Sequence, residues 1–324
     1  MSDVKYTYAV ARIRAMEMSL FNSAMIEQLL AMKDYDACLQ FLAEKGWGDP
    51  DTPMDAEAIL SRESEKTWSA VRELIRDDAS VLDVLFYPNL FHNLKAAIKE
   101  SVTGKSHGKV YFDDCSIDPK EMLRIIQDRD YLSLPENMRA AAQEAHETFL
   151  HTGDGQLCDI IVDRACLEVI YKAGQEAEAS IIRDYAESTV AVADIKIAVR
   201  SQKTAKTLEF MKRALAPCGS LNTDRLAAAA LSGMDAICEY LEGTAYAEGA
   251  QALKESPSAF ERWCDNQVIR TIQPQKYNPF SVGPLVAYVL ARENEIKTVR
   301  IILSGKQNGL PEESIRERVR EMYV

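Results

Sequence analysis

The chain has 324 residues, with 38 Lys and Arg against 50 Asp and Glu, a formal net charge of −12 with histidine neutral. That balance argues against nucleic acid as a partner, because a phosphate backbone needs a basic footprint. Only 14 glycines and 11 prolines, short of the roughly 12% of average usage, leave few helix breakers, and a chain of this length folds as roughly two or three domains.

The longest apolar stretches, such as Val282 to Ala291, run about ten residues where a membrane helix needs ~20, so no span is expected. The start, Met1-Ser2-Asp3-Val4-Lys5-Tyr6, lacks the basic and apolar blocks of a signal peptide. Seven cysteines with no CxxC pair suit buried, reduced thiols. The expected location is the cytoplasm.

The first predicted helix places Val4, Tyr8, Ala11, Ala15 and Met18 on one apolar stripe at alternating spacings of four and three, starting from Ser2 or Asp3 as a cap. Thr52-Pro53 and Asp118-Pro119 each set a capping side chain before a proline at the first helical position. Glu121 would complete a capping box with Asp118. Lys109 to Phe112 is strand-like but too short for a sheet. Pro311 to Arg320 reads as a last helix, with Arg316 within reach of Glu312 and Glu313 and Ile315, Val319 and Met322 as a narrow apolar stripe. The predicted class is all-α.

Three tripeptides recur at a spacing of 101 residues: Asn93-Leu94-Lys95, Asp194-Ile195-Lys196 and Glu295-Ile296-Lys297. Each is followed by a glycine-bearing loop and a helix start, at Ser116-Ile117-Asp118, Ser220-Leu221-Asn222 and Gly309-Leu310-Pro311. The period far exceeds that of helical solenoids. It predicts three similar small helical domains, near 1–104, 105–218 and 219–324, in a pseudo-threefold ring or funnel. Lys95, Lys196 and Lys297 read as structural or partner-contacting residues.

No catalytic, cofactor-binding or metal residue is expected. His146 and His151 resemble an HExxH zinc helix with one residue too many, which turns the imidazoles ~140° apart; both read as surface residues. Thr103-Gly104-Lys105-Ser106 ends like a phosphate loop, but Lys99 stands where the first glycine belongs and no strand precedes it. Ser304-Gly305-Lys306 fails in the same way. Cys158 and Cys166, eight apart on one helix, read as small buried hydrophobes.

The block Pro284-Leu285-Val286-Ala287-Tyr288, with Arg292 to Lys306 and Asn308-Gly309-Leu310-Pro311-Glu312-Glu313, closely resembles the C-type subunits of V-type (A-type) ATPases and ATP synthases, relatives of the eukaryotic d-type subunits. Tyr6 to Glu17 and Phe91-His92-Asn93-Leu94-Lys95 are similar to the same family. The resemblance implies a non-catalytic rotor component: a funnel of three helical domains, peripheral to the membrane, that joins the central shaft of D- and F-type subunits to the proteolipid ring. It implies no cofactor of its own. The alternative is an all-helical scaffold or interaction protein unrelated to the rotary ATPase.

Overall fold

The computed structural model describes residues 5–75, 80–105 and 110–324. Those residues form sixteen α-helices and no strand, as the shortage of breakers predicts. Ser2, Asp3, Val4, Ser106 and Lys109 lie outside the described residues, and Val110 to Phe112 are not strand. The helices group into two compact units.

The first unit joins the two ends of the chain: Met1–Ala79, Glu178–Tyr185 and Tyr246–Val324. Its axis is the Gly283–Gln307 helix, in which 18 of 25 residues are buried, so it is covered on nearly every side instead of presenting one apolar stripe. The helices Thr7–Glu17, Ala56–Ile75 and Pro257–Ile272 all pack on it. Phe21, Leu42 and Leu60 from the start of the chain share one hydrophobic core with Val299, Ile302 and Ile315 from its end. The second unit comprises Ser80–Ala177 and Ala186–Ala245. There the Asp83–Thr103 helix packs on Pro119–Gln127, Glu136–Thr152 and Gly155–Glu176.

Side-chain caps start about half of these helices and satisfy N–H groups that would otherwise be orphaned. Asp118 Oδ1 accepts from Lys120 and Glu121 N–H with Pro119 first in the helix, but the Glu121 carboxylate grips Arg124 instead of reaching back to close a box. The Thr52 expectation is three residues early. Thr52 Oγ1 accepts from Asp49 N, and the helix begins at Ala56, with Asp55 bonding Ala58 N.

The two terminal stripes also differ from expectation. In Thr7–Glu17 the buried residues are Ala9, Val10 and Ile13, while Tyr8 is 68% and Met18 88% exposed and Ala11 and Ala15 face solvent. The helix carries apolar residues on both sides, and packing selected the β-branched side. The last helix is shorter than expected, Glu312–Arg316. Ile315 is buried in the core, with Val319 and Met322 packed against it, so that stripe docks within this chain.

Candidate functional site

The residues repeated at 101-residue spacing lie on three long helices, Asp83–Thr103, Ser180–Lys203 and Gly283–Gln307. The first residue of each tripeptide is a buried polar group: Asn93 and Asp194 have no exposure and Glu295 has 1%. Each holds the backbone of a loop. Asn93 donates from Nδ2 to Phe112 O at 2.8 Å and accepts from Phe112 N at 2.9 Å. Asp194 Oδ1 accepts from Ala216 N at 3.0 Å, and Glu295 Oε2 accepts from Phe21 N at 3.2 Å. A buried polar side chain persists where it satisfies an otherwise stranded backbone group. These residues were the stronger signal in the tripeptides, since an acid or amide on an apolar helix face needs a partner.

The lysines of the tripeptides sit nearer the surface. Lys95 Nζ lies 2.6 Å from Asp163 and Lys297 Nζ 2.7 Å from Asp265, which also takes Arg320 at 2.7 Å; Lys196 is half-buried. Such pairs are worth ~0–1 kcal/mol where exposed.

A buried charge cluster surrounds Arg292. Its guanidinium reaches both Glu63 and Glu295 and lies 4.6 Å from the centre of the Trp47 ring. Glu63 also accepts from Gly48 N and from Lys66 Nζ, each at 2.9 Å. Two carboxylates thus meet two cations, and the carboxylate oxygens also take backbone N–H groups, so the buried charges are paired and hydrogen-bonded. Burial pushes the Glu295 carboxyl up while Arg292 pulls it down.

The remaining sequence candidates are placed as follows. His146 is buried, contrary to the surface reading, whereas His151 is exposed, as the ~140° separation requires. Tyr131 Oη lies 2.8 Å from His146 Nδ1 and Ser101 Oγ 3.2 Å from Nε2. Because Ser101 donates to Ile98 O, the Nε2–H donates to Ser101, and a ring unprotonated at Nδ1 accepts from Tyr131. That is a neutral imidazole, in keeping with a pKa held below the ordinary value by burial and by the charge of Arg129. Gly104, with φ of 65°, is the C-cap of the Asp83–Thr103 helix, the end whose dipole disfavours phosphate. Gly305 and Lys306 lie inside the Gly283–Gln307 helix, and Lys306 donates to Met32 O at 2.7 Å. Cys158 and Cys166 are buried, and burial lifts their thiols to about 11 and about 12, unreactive values. Among the described residues no group of three His, Cys, Asp or Glu is placed to hold a metal ion.

A family model described as ATP synthase (C/AC39) subunit matches residues 9–318. The chain belongs to that family. Relatives in it include the C-type subunit of the V-type sodium ATPase of Enterococcus hirae, 24% identical over 96% of this chain and 97% of the relative. The C-type subunit of the V-type ATP synthase of Thermus thermophilus is 23% identical over 97% and 98% of the two chains. That of the A-type ATP synthase of Methanocaldococcus jannaschii is 23% identical over 96% and 85%. The ATP synthase (C/AC39) match takes in Asn93, Asp194 and Glu295 together with the Arg292 cluster. Among the described residues no helix is long and apolar enough to cross a membrane.

Proposed function

We propose that this chain is the non-catalytic central-stalk subunit of a V/A-type rotary ATPase, a socket that receives the foot of the shaft built from D- and F-type subunits and seats it on the membrane proteolipid ring. It would work at the cytoplasmic face, peripheral to the membrane. The observation that carries the reading is the family match over residues 9–318, with relatives of nearly equal length named as C-type subunits. The polar interior supports a mechanical role. Asn93, Asp194 and Glu295 each tie a long helix to a neighbouring loop, which stiffens a body that must pass on torque. On this reading the chain consists of three similar helical domains. The third is completed by the N-terminal residues, since Glu295 finds its loop at Phe21 where Asn93 and Asp194 find theirs 19 and 22 residues onward.

The test is reconstitution of the complex with and without this chain, reading ATP hydrolysis and ATP-driven ion uptake side by side. Omission is expected to leave hydrolysis by the catalytic head and to abolish uptake. Uptake that persists, or hydrolysis that disappears, refutes the adaptor.

A further inference from the structure

The Thr7–Glu17 helix buries one side and leaves the other uncovered. Tyr8, Ala11, Ala15 and Met18 follow a three-four-three spacing, the spacing of a coiled-coil seam, and all four are exposed. The same helix holds a second exposed apolar element. Arg14 on the same helix donates to Gln275 O at 2.6 Å and Asn278 O at 3.1 Å, fixing a turn that displays Tyr277, 88% exposed, and Phe280, 51% exposed. The turn is built to hold its shape. Asn278 Nδ2 bonds Ser281 Oγ at 2.6 Å and Gln275 Oε1 at 3.1 Å, and Ser281 Oγ accepts from Gly283 N at 3.0 Å. Gly283 leaves the room that Gln275 needs, since a Cβ there would stand 1.9 Å from Gln275 Oε1.

We infer that the seam of Tyr8, Ala11, Ala15 and Met18, with the Tyr277 and Phe280 turn as its wall, docks an amphipathic helix of another subunit whose apolar stripe is flanked by acidic residues. The inference rests on the proposed role within a rotary complex, which supplies the partner. Large apolar side chains left exposed together on one helix and on the turn it holds mark an interaction site, and rigid aromatics are the usual anchors of one. Ala11 and Ala15, one turn apart, leave a shallow groove between the larger Tyr8 and Met18, which suits the ridge of a second helix. Charge gives the flanks. From Lys5 to Met18 the charged residues are Lys5, Arg12, Arg14 and Glu17, and Glu17 is paired with Arg14 at 2.8 Å. Arg12, which donates to Tyr8 Oη at 3.2 Å, therefore sets a basic margin along the seam on a chain of net charge −12, complementary to an acidic-flanked helix. Two small alanines at the centre favour a helix over a lipid surface, which bulky side chains would enter.

The test uses the assembled complex. A photo-cross-linking amino acid at Ala15 or Tyr277 is expected to join this chain to one helical segment of another subunit, with Asp or Glu flanking its apolar stripe. Ala15→Glu, and separately Tyr277→Ser with Phe280→Ser, should melt like wild type yet reduce retention in the complex at least tenfold. Cross-links to lipid or to a second copy of this chain, or both variants retained as firmly as wild type, overturn the seam while leaving the rotary role standing. Should Ala15→Glu fail to fold, the cross-link and the turn variant decide alone. A wild-type chain that does not copurify with any rotary component overturns the role itself, and the seam with it.

Discussion

Asp194 accepts a hydrogen bond from the Ala216 amide through Oδ1, while its Oδ2 is buried without a partner. A carboxylate so placed resists ionisation, and burial lifts Asp194 to about 7 against the smaller pull of the Ala216 amide and Arg164. The unfolded value is near the ordinary 3.8, so the folded state holds the extra proton between those values. The contribution of Asp194 to stability is then full below about pH 4 and declines as pH rises toward 7.

Asp194→Asn removes that titration and keeps the Oδ1 acceptor, as Asn93 does at the matching position of the repeat. Relative to wild type the variant should gain about 2–4 kcal/mol between pH 4 and pH 8, at ~1.4 kcal/mol for each pKa unit. Urea unfolding at both pH values measures it. A gap between the two proteins that does not change with pH defeats this account.

His146 titrates with the opposite sign. Its pKa is depressed, so the folded protein disfavours the proton and the contribution to stability is present above the unfolded value near 6.5. It is lost as pH falls below that. His146→Gln should lower stability at pH 8, because the bonds to Tyr131 and Ser101 are disturbed, yet lose less than wild type between pH 7 and pH 5. The check is a set of thermal melts across that range; parallel curves contradict it.

At Arg292 the prediction concerns an orphaned pair. Arg292→Met leaves Glu63 and Glu295 buried without their shared cation, and breaking a buried pair this way costs about 3–5 kcal/mol. Adding Glu63→Gln and Glu295→Gln should recover part of the loss, because neutral amides replace two buried carboxylates of which only Glu63 keeps a cation, Lys66 at 2.9 Å. Denaturant midpoints of the single and triple variants distinguish this from a simple packing defect, which the added changes would only worsen.

Where the sequence succeeded and failed follows from the range of the forces involved. Asp118-Pro119 announces its helix because capping is settled within four residues, and the 101-residue recurrence of Lys95, Lys196 and Lys297 is visible without any contact being known. The side of Thr7–Glu17 that is buried was not legible: Ala9, Val10 and Ile13 compete with Tyr8, Ala11, Ala15 and Met18, and only the packed Gly283–Gln307 helix decides between them. His146 was missed because its partners, Ser101 and Tyr131, come from other segments. Arg292 and Glu63 are 229 residues apart, a pairing that no periodicity encodes.

The last prediction concerns the tail. Gly305 lies inside the Gly283–Gln307 helix directly beneath Ile315, and a Cβ there would stand 2.5 Å from Ile315 Cγ1 and 2.7 Å from Cδ1. On an exposed helix Gly→Ala would stabilise by about 1 kcal/mol. Here the added methyl meets a side chain with 1% exposure, and overpacking of that kind costs about 1–3 kcal/mol. Gly305→Ala should therefore be neutral to destabilising by ~2 kcal/mol, the reverse of its propensity. The displaced Ile315 anchors a tail that continues through Arg320, bonded to Asp265 at 2.7 Å, and Glu321 N, bonded to Asn266 Oδ1 at 2.9 Å. Trypsin should then cut the variant at Arg316 and Arg318 several-fold faster than wild type. Ile315→Val removes the Cδ1 methyl and should, combined with Gly305→Ala, restore part of both stability and protection. Faster cleavage that Ile315→Val does not slow would place the strain elsewhere than at the Cδ1 contact.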